Sequence, residues 1–65
     1  MNGLVAAVRL VARVPKDIAP DRAQAESRAR FFAHMAAGMA FPEIKGVKEL
    51  PAEFLVAIEE RETRP

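Results

Sequence analysis

The chain has 65 residues, no cysteine, one histidine and a formal net charge of +1. This length allows a single small domain, 1–65, which buries only about 60% of the surface of its unfolded chain. Disulfides, thiolate metal sites and histidine-rich metal sites are excluded, so we expect no metal and no cofactor. Association is the remaining way to stabilise so small a core, and the sequence predicts a homo-oligomer, such as a homodimer, or docking on a larger protein partner.

The charge is divided unevenly along the chain. Residues 1–34 hold six Lys and Arg against three acids, and residues 35–65 hold four against six, so the halves carry +3 and −2. Such an uneven charge distribution is typical either of a protein that binds two different partners or of the charged outer faces of amphipathic elements. No run reaches the roughly 20 apolar residues of a membrane-spanning helix, and no small-molecule substrate is evident. We expect a cytoplasmic location, with a basic organellar leader over residues 1–16 as the alternative.

The first element, residues 4–14, fits two secondary structures. In a strand, one face carries its even-numbered apolar residues Val8, Leu10, Ala12 and Val14. The other face carries Arg9, Val11 and Arg13. In a helix, one stripe combines Leu4, Val8 and Val11. The valines favour the strand, and because no second good strand is evident, we expect the same strand of another subunit as its partner.

The longest run without proline, residues 21–41, predicts the central helix. Its apolar residues recur at spacings of four, three, four and three, at Ala25, Ala29, Phe32, Ala36 and Met39. Phe31 and Met35 lie beside this stripe and widen the apolar arc. Asp21 places a negative charge at the positive end of the helix dipole. The arc is wide enough to touch two neighbours, and one of them is expected to be another chain.

The C-terminal part predicts a second helix. Gly38 is expected to weaken the end of the central helix and Pro42 to terminate it, and residues 42–50 form a connector. Pro51 then opens a helix over residues 51–62, with an apolar stripe at Leu50, Phe54, Ala57 and Ile58. The predicted fold class is mainly α: a short N-terminal β-prone segment and two amphipathic helices, completed by dimerisation or a partner.

The reactive side chains predict no enzyme activity and no catalytic residue. The only hydroxyl groups belong to Ser27 and Thr63. Ser27 and His34 share a helix face, but seven residues keep them roughly 10 Å apart, too far for a nucleophile–base hydrogen bond. Glu59 and Glu60 are adjacent on the predicted helix and point apart, so they form no convergent carboxylate pair.

Binding is therefore the expected function. We interpret the chain as a small regulator, adaptor or accessory subunit that acts through its amphipathic helices. The two predicted helices carry more apolar surface than they cover in each other. The predicted protein interface consists of Phe31, Phe32, Met35, Met39, Phe54, Leu55 and Ile58.

The N-terminal segment suggests an alternative function. Arg9 and Arg13 project from one side of a β-prone segment, which is followed by V-P-K-D-I and two predicted helices. This order resembles the ribbon-helix-helix proteins, which include small antitoxins. The resemblance implies a DNA-binding dimer, a transcriptional repressor or antitoxin, whose paired strands enter the major groove. Arg9, Val11 and Arg13 would then face DNA with Lys16 beside them, and the acidic C-terminal residues 58–62 would suit a basic partner protein.

Overall fold

The computed structural model of the protein describes residues 7–61, with side chains described for residues 9–60. The elements are β1 (Ala7–Pro15), α1 (Arg22–Met35), β2 (Glu43–Glu49) and β3 (Glu53–Arg61). β3 lies between β1 and β2 and is antiparallel to both, so β1 and β2 run parallel to each other. α1 packs against one face of this sheet. No element within residues 7–61 covers the other face, which we call the open face.

The fold is α+β, and the predicted mainly α fold with two helices is wrong. The predicted helix over residues 51–62 is instead the central strand β3. Phe54, Val56 and Ile58 are buried, and the residues between them face the open face, which is the period of two of a strand. The apolar pattern fits both periods. Pairing with a strand on each side decides between them, because it satisfies the backbone groups along both edges of β3.

The predicted connector, residues 42–50, contains the edge strand β2. Its pairing with β3 shifts register between Ile44 and Gly46, which marks a bulge. The N–H of Leu50 donates to the C=O of Glu53 at 2.8 Å and closes the hairpin between the two strands. Gly46, within the predicted connector, lies in the strand beside the bulge.

The N-terminal segment is a strand rather than a helix: residues 7–15 form β1, and residues 4–6 lie outside the described part of the chain. β1 pairs along its length with β3, from Ala7 opposite Arg61 to Pro15 opposite Glu53. The expectation that its partner would come from another subunit is therefore wrong for the edge of β1 that pairs with β3. That expectation depended on the absence of a second strand, and β3 is that strand.

α1 is shorter than the predicted helix over residues 21–41. It begins after Asp21, whose backbone is extended and whose Oδ1 accepts a hydrogen bond from the N–H of Gln24 at 2.8 Å. It ends at Met35, because the chain reverses through Gly38, which has a left-handed φ of 72°. Met39 consequently lies outside the helix.

The helix faces the sheet with alanine. Ala25, Ala29 and Ala33, at spacings of four, are completely buried. The predicted stripe through Phe32 and Ala36 is wrong, since both residues are exposed. Small side chains let the helix backbone approach the sheet closely, and this contact, rather than the largest apolar side chains, sets the rotation of the helix.

The core is correspondingly small. Among the residues whose side chains the structure describes, it contains ten buried hydrophobic residues, and five of them are alanine. Its largest fully buried side chains are Met39, Ile58 and Val56, and Leu10, Ile44 and Val47 pack at its margin.

In the part of the chain that the structure describes, no helix combines the length and the apolar character needed to cross a bilayer.

Candidate interaction surface

His34 joins the end of α1 to the loop that follows it. Its Nδ1 lies 2.8 Å from the carbonyl oxygen of Met39. Because a carbonyl oxygen only accepts, Nδ1 carries the proton and donates it. The N–H of Met39 in turn donates to the C=O of Ala33 at 3.0 Å. Both bonds position Met39 over the core, so the contacts of this histidine are those of a structural residue.

The described residues bring together no set of side chains with evident reaction chemistry. Among residues 7–61 there is no group of three or more His, Cys, Asp or Glu side chains that could hold a metal ion. Ser27 is exposed on α1. The carboxylate of Glu60 is used structurally, since its Oε2 accepts hydrogen bonds from the N–H groups of Ala40 and Phe41.

The basic residues predicted to contact DNA form ion pairs with glutamates. Arg9 Nε lies 2.7 Å from Glu59 Oε2. Lys16 Nζ lies 2.6 Å from Glu49 Oε2 and 5.1 Å from the centre of the Phe54 ring. These contacts offset much of the positive charge that a phosphate backbone would require.

Arg13 makes the most extensive of these ion pairs. Its Nε and Nη2 lie 3.2 and 2.9 Å from the two carboxylate oxygens of Glu53, a two-point contact between β1 and β3. The hydrogen bonds that Arg13 donates to Glu53, followed by the negative charge of that carboxylate, raise the pKa of Arg13. Among the acidic residues 58–62 that were predicted to suit a basic partner, Glu59 binds Arg9 and Glu60 binds backbone N–H groups, while Glu62 lies outside the described residues.

The outer side of α1 carries large exposed apolar side chains. Phe31, Phe32 and Met35 are 66%, 50% and 65% exposed, and Ile18, in the turn before α1, is 49% exposed. We call these four residues the apolar strip. Single exposed apolar residues are ordinary in proteins, whereas a contiguous group of large ones is a candidate interaction surface.

A groove separates the apolar strip from β1. It has a volume of about 520 Å³ and is lined by the strip, by Arg28 of α1, by Ala36 at the C-terminal end of α1 and by residues 11–15 of β1. Its floor includes Val14 and the buried Ala29. The groove therefore joins the apolar strip to one edge of the sheet in a single continuous surface.

The edge of β1 that borders the groove presents the backbone N–H and C=O groups of alternate residues. The N–H of Lys16 donates to the C=O of Ala52, on the β3 side, at 2.9 Å. Because backbone groups alternate sides along a strand, the even-numbered residues of β1 bond to β3 and the odd-numbered residues point outward. Pro15, which has no N–H to donate, is one of the residues whose backbone points away from β3, as expected of a proline in an edge strand. The N–H and C=O groups of Arg9, Val11 and Arg13 thus point away from β3.

The seven residues predicted for the protein interface separate into three groups. Three belong to the apolar strip: Phe31, Phe32 and Met35. Three are buried in the core: Met39, Phe54 and Ile58. Leu55 is half-buried on the open face. The helical interpretation of residues 51–62 explains the error at Phe54 and Ile58, because a strand directs both side chains into the core of its own chain.

Two parts of the surface escaped the sequence-based prediction. Ile18 was not among the predicted interface residues. β1 was expected to pair with another subunit, but which of its edges stays free depends on β3, which was predicted to be a helix. The spacing of Ala25, Ala29 and Ala33 is the signal that indicates the correct helix face. Three small residues one turn apart are typical of a helix that packs closely on its neighbour.

Comparison with protein-family models, with curated proteins and with solved structures finds no match to this chain. The resemblance to the ribbon-helix-helix proteins therefore stays a prediction.

Proposed function

We propose that the protein is a small non-enzymatic interaction module that forms a homodimer through the apolar strip, and that it acts in this form as a regulator or accessory subunit. The exposure of Phe31, Phe32 and Met35 on one side of a single helix is the observation that supports it most directly. Removing apolar surface from water stabilises an association by roughly 25 cal/mol per Å². Burying these side chains therefore provides a driving force.

A second copy of the chain is the partner that fits this surface. A dimer with two-fold symmetry places the same patch of both subunits in contact, so the patch must be compatible with itself. The apolar strip meets this requirement, because none of its four side chains carries a charge. The small core adds a reason, since half of the ten hydrophobic residues buried within residues 9–60 are alanine and contribute little burial.

The test is the oligomeric state measured by sedimentation equilibrium over a wide range of concentration. We expect the wild type to dimerise. Phe31→Ser should raise the dimer dissociation constant by about tenfold or more, since burial of one such side chain contributes about 1.5–3 kcal/mol. Far-UV circular dichroism should stay unchanged, because Phe31 is exposed in the single chain.

Phe41→Ser is the matched control. Phe41 is the more exposed of the two, at 81%, but lies in the loop between α1 and β2, outside the apolar strip. Its replacement should leave the dissociation constant nearly unchanged. A wild type that remains monomeric at every concentration, or an equal effect of the two substitutions, contradicts the proposed homodimer.

A further inference from the structure

We infer that the second copy docks by strand pairing: β1 of one copy lies antiparallel to β1 of the other, and the two three-stranded sheets become one continuous sheet. This inference rests on the homodimer proposed above and names how its subunits meet. A two-fold axis perpendicular to the sheet makes the two strands antiparallel and keeps both helices on the same face. The grooves beside the two copies of β1 then open toward each other over the new strand pair.

The edge of β1 is suited to pairing in a way that the opposite edge is not. β2 is interrupted by the bulge at Ile44 and Gly46, and four of its seven residues are charged: Glu43, Lys45, Lys48 and Glu49. Bulges and charges are the features that protect edge strands from pairing. β1 pairs with β3 over nine residues without a register shift, and two of its nine residues are charged.

The two charged residues of β1 are directed away from the edge. Arg9 and Arg13 reach toward β3, where Glu59 and Glu53 accept hydrogen bonds from their guanidinium groups. Both side chains leave β1 on the open face, because they alternate with the buried Ala12 and Val14, and Arg13 also contributes to the lining of the groove. A strand that approaches this edge meets the outward backbone groups of β1, and Arg28 of α1, which is exposed and lines the adjoining groove, is the charged side chain that two copies must accommodate.

The outward backbone groups of β1 can form the hydrogen bonds that a new strand requires. The outward N–H and C=O groups of Arg9, Val11 and Arg13 have no partner among the described residues. They recur at every second residue, which is the repeat of an antiparallel ladder. The apolar strip lies beside this ladder, so strand pairing and burial of the strip occur in one interface. Strand addition of this kind derives its affinity from main-chain hydrogen bonds.

The direct test is amide hydrogen exchange of the wild-type protein, measured by NMR at several protein concentrations. In the dimer, the amides of Val11 and Arg13 should exchange slowly, and their protection should decline on dilution together with the dimer. Leu10, Ala12 and Val14 provide an internal control, because their amides bond to β3 within the chain and should stay protected after dissociation.

A substitution tests the same contact. Val11→Pro removes one outward N–H from each copy and should raise the dimer dissociation constant on the order of tenfold or more. Val11→Thr keeps the N–H and the β-branched shape, and should dimerise like the wild type. The exchange measurement on the wild type remains decisive if the proline variant does not fold.

The two proposals fail in different ways. A dimer in which the Val11 and Arg13 amides exchange as fast as in the monomer overturns the strand pairing and leaves the homodimer through the apolar strip intact. A wild type without any dimer overturns both. Slow, concentration-dependent exchange at Val11 and Arg13, with unchanged protection of Leu10, Ala12 and Val14, supports the continuous sheet.

Discussion

Ala29 and Phe32 lie one helical turn apart on α1 and have opposite surroundings: Ala29 is completely buried against the sheet, and half of Phe32 is exposed to solvent. The smaller apolar residue thus forms the contact inside the chain, and the larger one remains available outside it. The proposed interface depends on this arrangement, in which the small residue is buried and the large one exposed. The same arrangement predicts how the core responds to substitution.

Enlarging Ala29 should destabilise the protein. Ala29→Leu forces extra side-chain volume between the helix and the sheet, and overpacking of this kind costs about 1–3 kcal/mol. Ala23→Leu, on the exposed side of α1, is the control and should change the free energy of unfolding by about 0.5 kcal/mol at most. Urea unfolding at one fixed protein concentration measures both. Equal effects would show that the helix packs on the sheet through a different face.

The chain reversal after α1 should require glycine at position 38. Gly38 has a left-handed φ of 72°, a conformation that costs a residue with a Cβ about 1–2 kcal/mol. Gly38→Ala should lower the free energy of unfolding by that amount through the backbone alone, since an added Cβ would have no atom within 4 Å.

Gly46→Ala is the matched control for this effect. An added Cβ at Gly46 also has no atom within 4 Å, but Gly46 lacks the left-handed φ. The substitution should be neutral or stabilising by up to about 1 kcal/mol, because alanine restricts the unfolded chain more than glycine does. Thermal unfolding of the two variants side by side should separate them, and a loss of stability at position 46 but not at 38 would contradict the assigned backbone conformation.

Asp21 should contribute to stability as the N-cap of α1. Asp21→Ala removes the acceptor of the hydrogen bond from Gln24 N–H and should cost about 1 kcal/mol. Asp21→Asn keeps a side-chain oxygen at the same place and should retain most of the stability, because asparagine is an equally good N-cap. Chemical unfolding distinguishes the two, and an asparagine variant as unstable as the alanine variant would assign the effect to charge instead.

Duplex DNA binding through Arg9 and Arg13 should be weak or absent. Both guanidinium groups already bind glutamates of β3, so contact with phosphate would have to replace an existing ion pair. Fluorescence anisotropy with a labelled duplex should show no binding at low salt. Binding that weakens steeply with salt, and that is lost when both arginines are replaced by alanine, would instead favour the function implied by the ribbon-helix-helix resemblance.

Local signals in the sequence identify several features of the fold. The proline-free run predicts a helix, and α1 occupies its first two thirds. The valines, and the apolar residues at alternate positions from Val8 to Val14, favour a strand in the N-terminal segment, where β1 lies. The length of the chain and its many alanines indicate a small core. Each of these properties depends on neighbouring residues or on composition, which a single sequence contains in full.

Tertiary structure decided the identity of β3 and the rotation of α1. The apolar residues of β3 fit a helix and a strand equally well, and only pairing with β1 and β2 distinguishes the two. Likewise, the apolar arc of α1 includes both alanines and phenylalanines, and the sheet selects the alanines because they permit close approach. Which large side chains are left for a partner depends on these long-range contacts, since burial is a property of the folded chain and not of the residue type.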